Sequence, residues 1–185
     1  HQMIYRILII SVLLLVISCS GDIQPKPKAF LRLEYPEPTY DTIKESCPFS
    51  FEKNHLSFLN LQKGCSMNLD YPQMKATIYI TYKPVKDNLT KLLKDAQNFT
   101  YEHTIKATNI VEHPYLNEKD KVYGMFYEVD GNAASQSQFY ITDSVNHFIT
   151  GSIYFKVRPN YDSIYPAALY LKRDIRRIME TTHWK

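Results

Sequence analysis

The stretch 76–82, ATIYITY, decides the fold class. Thr77, Tyr79 and Thr81 alternate with Ile78, Ile80 and Tyr82, and that two-residue period in β-branched and aromatic side chains is the pattern of a strand with a buried face. Tyr71-Pro72 and Lys83-Pro84 bracket it with turn chemistry. Toward the C-terminus the period changes. Asp87 is placed to cap a helix whose apolar stripe runs through Leu89, Leu92, Leu93, Ala96, Phe99, His103 and Ala107 and stops near Pro114. Such a helix covers one face of a sheet. Three strands follow at meander spacing, over 122–129, 137–142 and 147–157, with turns at Asp130-Gly131-Asn132 and Thr142-Asp143-Ser144. The last is long enough to be central or nearly so, with Ile149, Ile153 and Phe155 buried, and Arg158-Pro159-Asn160 ends it. A final helix begins around Ser163 to Pro166, capped by Asp162 or Ser163. It buries Ile164, Ala168, Leu171, Ile175, Ile178 and Met179 and turns Lys172, Arg173, Arg176 and Arg177 outward.

Toward the N-terminus, 48–51 and 66–69 read as further strands. The order is strands, helix, three strands, helix, which predicts an α+β fold: an antiparallel or mixed sheet packed with two main helices. Before it lies a different kind of sequence. Residues 13–22 read LLLVISCSGD, and the apolar run from Met3 to Ile17 falls short of the ~20 residues a membrane-crossing helix needs. Val16-Ile17-Ser18-Cys19 looks like a lipoprotein processing box, so residues 1–18 read as a signal peptide and Cys19 as the acylated first residue of the mature chain. An uncleaved N-terminal anchor is the alternative. Residues 19–38 hold Pro25, Pro27, Pro36 and Pro38 and read as a stiff tether, with Phe30, Leu31 and Leu33 as a short edge strand within it. Residues 39–185 form the single folded domain.

Composition narrows the function. The chain has 185 residues and a formal net charge of +3, and removing the leader takes away Arg6 and no acid. That weak excess argues against a nucleic-acid binder. Fifteen tyrosines and nine phenylalanines suit strands and contact surfaces. Apart from Cys19, the cysteines are Cys47 and Cys65. In an oxidising compartment they pair, at a stabilisation of about 3 kcal/mol; otherwise both are small buried hydrophobes. No CxxC, HxxxH or acidic-loop spacing suggests a metal, and no cofactor is implied.

Enzymatic motifs are missing as well. There is no G-x-S-x-G elbow, and the five glycines do not cluster into a phosphate cradle. Glu102 and Lys106 form an i,i+4 pair typical of a solvated helix face. His103 lies on the apolar stripe and reads as a packing histidine before a catalytic one. Ser135, Asp143 and His147 hold the residue types of a triad, yet turns favour serine and aspartate for their own reasons. More informative is Gly131-Asn132-Ala133-Ala134-Ser135, a run of small residues that makes either a tight hairpin turn or a flat docking surface around Asn132, bordered by Tyr127 and Phe139. Arg158 and Tyr161 have the character of interface anchors.

Taken together, PKPKAFLRLEYPEPTY, YPQMKATIYITYKPVKDNL, EHTIKA, VYGMFYEVDGNAAS, and RPNYDS ending in METTHWK resemble the gliding-motility lipoprotein GldD family of the Bacteroidota. The resemblance implies a lipid-anchored protein of the cell envelope that serves gliding motility and type 9 protein secretion; the expected place is the outer membrane facing the periplasm, since Ser20-Gly21-Asp22 supplies a single acid after the cysteine. It implies no known enzymatic activity and carries over no binding residue. The expected function is a non-catalytic assembly or stabilising component whose partners are other envelope components of that machinery. The alternative is a carrier that binds a small hydrophobic or glycan ligand in a pocket between sheet and helices, and an enzyme of unknown chemistry is third.

Overall fold

A computed structural model describes residues 2–3, 34–157 and 160–185. Cys19, the expected leader and the edge strand expected at Phe30, Leu31 and Leu33 lie outside the described residues. One compact unit spans Tyr35–Lys185, and Tyr35 already belongs to it, its ring 5.4 Å from that of Tyr170.

The unit is built from β1 (Tyr40–Thr42), β2 (Phe49–Ser50), β3 (Glu52–Asn54), β4 (Phe58–Leu61), β5 (Met67–Tyr71), β6 (Ala76–Pro84), α1 (Leu89–His103), β7 (Ala107–Asn117), β8 (Val122–Gly131), β9 (Ser137–Thr142), β10 (His147–Phe155), α2 (Tyr161–Thr181) and β11 (His183–Trp184). Seven strands make one antiparallel sheet in the order β4-β5-β6-β10-β9-β8-β7. The expected α+β architecture is therefore the one observed, with β10 central. Two small ladders, β1 with β3 and β11 with β2, sit outside the sheet.

Register sorts the strand residues onto two faces. Leu69 and Ile153 both pair with Ile78, Ile149 pairs with Ile141, and Phe126 pairs with Phe139, so these side chains share one face. Against that face α2 lays Leu171, Ile175, Ile178 and Met179, all 2% exposed or less. Gly151 fits the same layer, because a Cβ there would stand 2.0 Å from Phe139 Cε1. The bare backbone lets the Phe139 ring lie across the central strand.

Polar contacts fasten α2 further. Asp174, 1% exposed, accepts hydrogen bonds from Tyr40 Oη at 2.7 Å, Tyr71 Oη at 2.9 Å and Asn54 Nδ2 at 3.0 Å. Burial pushes its carboxyl above the usual range. The basic residues on the helix's outer side are also engaged: Lys172 with Glu128, Arg173 with Glu37, Arg177 with Glu52, and Arg176 over the Phe126 ring. Cys47 and Cys65 form a disulfide with Cα atoms 5.7 Å apart, which ties the segment before β2 to the turn before β5.

Three local expectations need correction. Asp87 does not cap α1: it sits in the left-handed region at φ 53°, and Asn88 occupies the cap position without a side-chain cap bond. The helix stops at His103, well before Pro114, and 107–117 is the edge strand β7. Four strands therefore follow α1, where three were expected. An edge tolerates Pro114 because its missing N–H is not needed on the open side. At the other end, α2 starts at Tyr161 with Asn160 as cap, whose carbonyl accepts from the N–H groups of Ser163 and Ile164. Asp162 and Ser163 are thus inside the helix, and Pro166 lies beyond its first turn.

Candidate functional site

The second face of the sheet is covered by α1. Among the helix residues only Leu92 and Thr100 are buried, and its C-terminal end is tied to the β8–β9 loop by Ala134 N–H donating to His103 O at 3.2 Å. Between helix and sheet lies a cavity of about 750 Å³, within the range of small-molecule sites.

Cross-strand pairing builds its floor. Ser152 pairs with Tyr79 on one side and Gln138 on the other, while Thr150 pairs with Thr81 and Tyr140. Two adjacent rows of side chains thus face α1, carrying hydroxyls and an amide between aromatic rings. Leu92, Ala96 and Phe99 form the roof. The aromatic walls hold one another: Tyr79 packs edge-on to Tyr154 at 5.5 Å, His103 edge-on to Tyr154 at 5.8 Å, and Tyr140 stacks on Phe148 at 5.8 Å.

The electrostatics are those of a neutral chamber. Desolvation raises the phenols of Tyr140 and Tyr154 above the usual tyrosine range, so both are donors at neutral pH. His103 Nδ1 lies 2.8 Å from Phe99 O. Lys83 and Asp95 line the cavity from exposed positions; Asp95 pairs with Lys91 at 2.7 Å, and that hydrogen bond lowers its pKa. Gln138 stands apart. It is 2% exposed, and neither Oε1 nor Nε2 has a hydrogen-bond partner among the described residues. A buried amide left unpaired costs about 1–3 kcal/mol.

A family model for the gliding motility lipoprotein GldD matches residues 20–184. The chain belongs to the gliding motility lipoprotein GldD family. No curated protein matches it. The GldD match takes in every strand and helix from β1 to β11, the cavity with them.

In this GldD-family chain the residues singled out from the sequence are dispersed. Tyr127 and Phe139 are 2% and 3% exposed; both lie inside the fold, on opposite faces of the sheet. Phe139 is spent on filling the space over Gly151, and Tyr127 on packing beside Tyr140 at 6.5 Å. Asn132 and Tyr161 do come together: Asn132 Oδ1 accepts from the Tyr161 N–H at 3.0 Å, and Tyr161 Oη donates to Asp130 at 2.9 Å. Burial and that bond push the Tyr161 phenol up to about 12. Arg158 lies outside the described residues.

The residue types of a triad are separately engaged. Asp143 Oδ1 accepts from the N–H groups of Val145, Asn146 and His147, His147 Nδ1 lies 2.9 Å from Tyr82 Oη, and Ser135 Oγ donates to Ser137 O. Glu102 and Lys106 are exposed. Among the described residues no group of three or more His, Cys, Asp and Glu side chains is arranged to hold a metal ion, and no helix is long and apolar enough to cross a membrane.

The floor residues Gln138, Thr150 and Ser152 went unremarked in the sequence. A signal existed. A central strand packed on both faces reads as nearly continuous apolar sequence, whereas FITGSIY over 148–154 places Thr150 and Ser152 on one face, which marks that face as not closed by tight packing.

Proposed function

We propose that this GldD-family chain is a non-catalytic component of the gliding motility and type 9 secretion machinery that works by holding a small ligand in the cavity beneath α1. In this reading residues 1–18 are removed, Cys19 is acylated, and the segment from Cys19 up to the folded unit, which begins at Tyr35, holds that unit off the periplasmic side of the outer membrane. Occupancy of the cavity sets how firmly α1 is seated, and envelope partners respond to that state. The observation that carries the proposal is the cavity itself, about 750 Å³ between α1 and the rows of Tyr79, Ser152, Thr150 and Tyr140. The non-catalytic character is supported by the ties on the side chains best suited to acid–base work, since Asp143, His147 and Ser135 each hold local structure.

The test is to fill the cavity. Ala96→Trp places an indole in the space beneath α1, and the expected result is loss of secretion and gliding at normal protein abundance. Full function at normal abundance would refute the proposal.

Direct docking through the start of α2 is a second reading, favoured by one observation. Tyr165 and Leu169, four residues apart on the helix, are 46% and 45% exposed beside the Asn132–Tyr161 strut. In that reading Asn132 and Tyr161 flank the contact, and Leu169→Ser reduces recovery of an envelope partner while leaving the fold intact.

A further inference from the structure

The cavity beneath α1 is a long channel with unlike ends. We infer that it takes a single-chain amphiphile with an anionic head, the hydrocarbon lying between α1 and the sheet and the head resting at Lys83, Thr81 and Thr150. This rests on the reading of the cavity as a binding site and goes beyond it by naming the ligand class.

The length follows from the register. Lys83 pairs with Phe148, Thr81 with Thr150, Tyr79 with Ser152, and Thr77 with Tyr154, so the lining rows succeed one another along β10. From Phe148 to Tyr154 the strand advances about 20 Å. On the helix side the lining runs from Leu92 to His103, about 16 Å. One acyl chain of a bilayer covers about 15 Å, half of the hydrocarbon core, so a channel of this length takes such a chain with room for its head.

Over most of that length the wall offers a ligand little polarity. The Gln138 amide is shielded from the cavity. Ser152 is engaged with the Tyr154 hydroxyl, Thr100 Oγ1 donates to Ala96 O at 3.1 Å, and His103 Nδ1 lies 2.8 Å from Phe99 O. What remains is Leu92, Ala96 and the rings of Tyr79, Phe99 and Tyr154, a surface for hydrocarbon. A sugar or a peptide would give up its hydration there without gaining partners.

The Lys83 end is different. Asp95 takes a hydrogen bond from Lys91 at 2.7 Å and feels the charge of Lys83 as well, so one carboxylate faces two lysines. That end of the lining keeps a net positive charge, with the hydroxyl-bearing pair Thr81 and Thr150 in the adjacent row. Lys83 is exposed, and an anionic head meets it without leaving water. A cationic head would be repelled.

Photo-crosslinking of the full chain in lipid nanodiscs tests this. The probes share one long alkyl chain with a diazirine near its methyl end and differ in the head: carboxylate, glycerol phosphate, alcohol or trimethylammonium. Mass spectrometry maps the adducts. Both anionic probes should label 99–103 and 152–154 at least about fivefold more than the alcohol, the gain from one exposed charge pair, and the ammonium probe should label least. Lys83→Glu, at an exposed position, should keep the fold and turn the preference toward the ammonium head. Should that variant misfold, Lys83→Gln serves in its place and should level the anionic and alcohol probes. Ala96→Trp should remove these adducts for every head. A stronger carboxylate signal names a free fatty acid as the source, and a stronger phosphate signal names a single-chain phospholipid; either upholds the class.

Equal labelling by all heads, no adduct within the cavity, adducts retained in a folded Ala96→Trp, or an anionic preference unchanged in the folded Lys83 variant would overturn the inference. Its failure and that of the proposed function are distinguishable. If no adduct forms but Ala96→Trp still abolishes secretion at normal abundance, the ligand class is wrong and the cavity remains the working site. If adducts form as expected but Ala96→Trp is fully functional, the chain binds there and the proposed function falls.

Discussion

The two faces of the sheet receive one helix each and use it differently. Beneath α2 the side chains interlock, with Leu171 and Ile175 fully buried and a buried carboxylate taking three hydrogen bonds across to β1, β3 and β5. Beneath α1 a cavity of about 750 Å³ remains. Both helices are amphipathic, so amphipathicity alone does not decide how tightly a helix seats. What differs is the facing sheet surface. It is isoleucine, leucine and phenylalanine under α2, whereas hydroxyls, an amide and tyrosines that have their own ring partners lie under α1. One face is scaffold, and the other holds the candidate site.

That contrast predicts unequal costs for the same substitution. Leu171→Ala should destabilise the domain by about 2–5 kcal/mol, as full burial and a rigid surround dictate. Leu92→Ala, whose side chain borders the cavity, should cost less than half as much because fewer packing atoms are lost. Chemical denaturation of the two variants side by side checks this, and equal losses would break the distinction between the faces.

Next in size is the disulfide. Cys65 packs against the core on the α2 side, so replacing Cys47 and Cys65 together with alanine should cost about 3 kcal/mol and leave ligand binding at the α1 face unchanged. A binding defect in the folded double variant would show that the faces are coupled.

Asp174 gives a smaller, pH-dependent effect of definite sign. Burial raises its folded pKa above the unfolded value of 3.8, so the folded state holds the proton more tightly. Its contribution to stability is fully present below pH 3.8 and declines as pH rises through the folded value. Relative to Asp174→Asn, which does not titrate there, the wild type should be favoured most at acid pH and progressively less as pH increases. A gap that widened with rising pH would contradict the assignment. The smallest effect falls on the α1 face: Gln138→Leu should be neutral or stabilising by up to about 1 kcal/mol, read as a rise in melting temperature.

The scaffold was legible in the sequence, and the site was not. The alternation at 76–82 and the stripe from Ile164 to Met179 announce themselves because burial on one side leaves a period. Strand β7 was hidden for the opposite reason. As an edge strand it exposes Val111 and Leu116 and contains Pro114, so no burial period marks it despite Thr108, Ile110, Val111 and Tyr115, and Ala107 happens to continue the preceding helical stripe. Aromatics were expected at a docking surface, but Tyr127 and Phe139 are interior residues whose placement depends on cross-strand neighbours and on Gly151. The cavity depends on how far α1 stands from the sheet, a distance that no local pattern encodes. Asp174 was unread for a similar reason, since its three donors come from residues more than 100 positions away in sequence.

Amide hydrogen exchange tests the division of labour most directly. In the wild-type full chain, amides of α1 over 89–103 should exchange through local opening, many-fold faster than those in the middle of α2, which should open only with the whole domain. Ala96→Trp, by filling the space beneath α1, should slow exchange in α1 and leave α2 unchanged. Equal protection of the two helices, or a change in α2 as large as that in α1, would contradict the account.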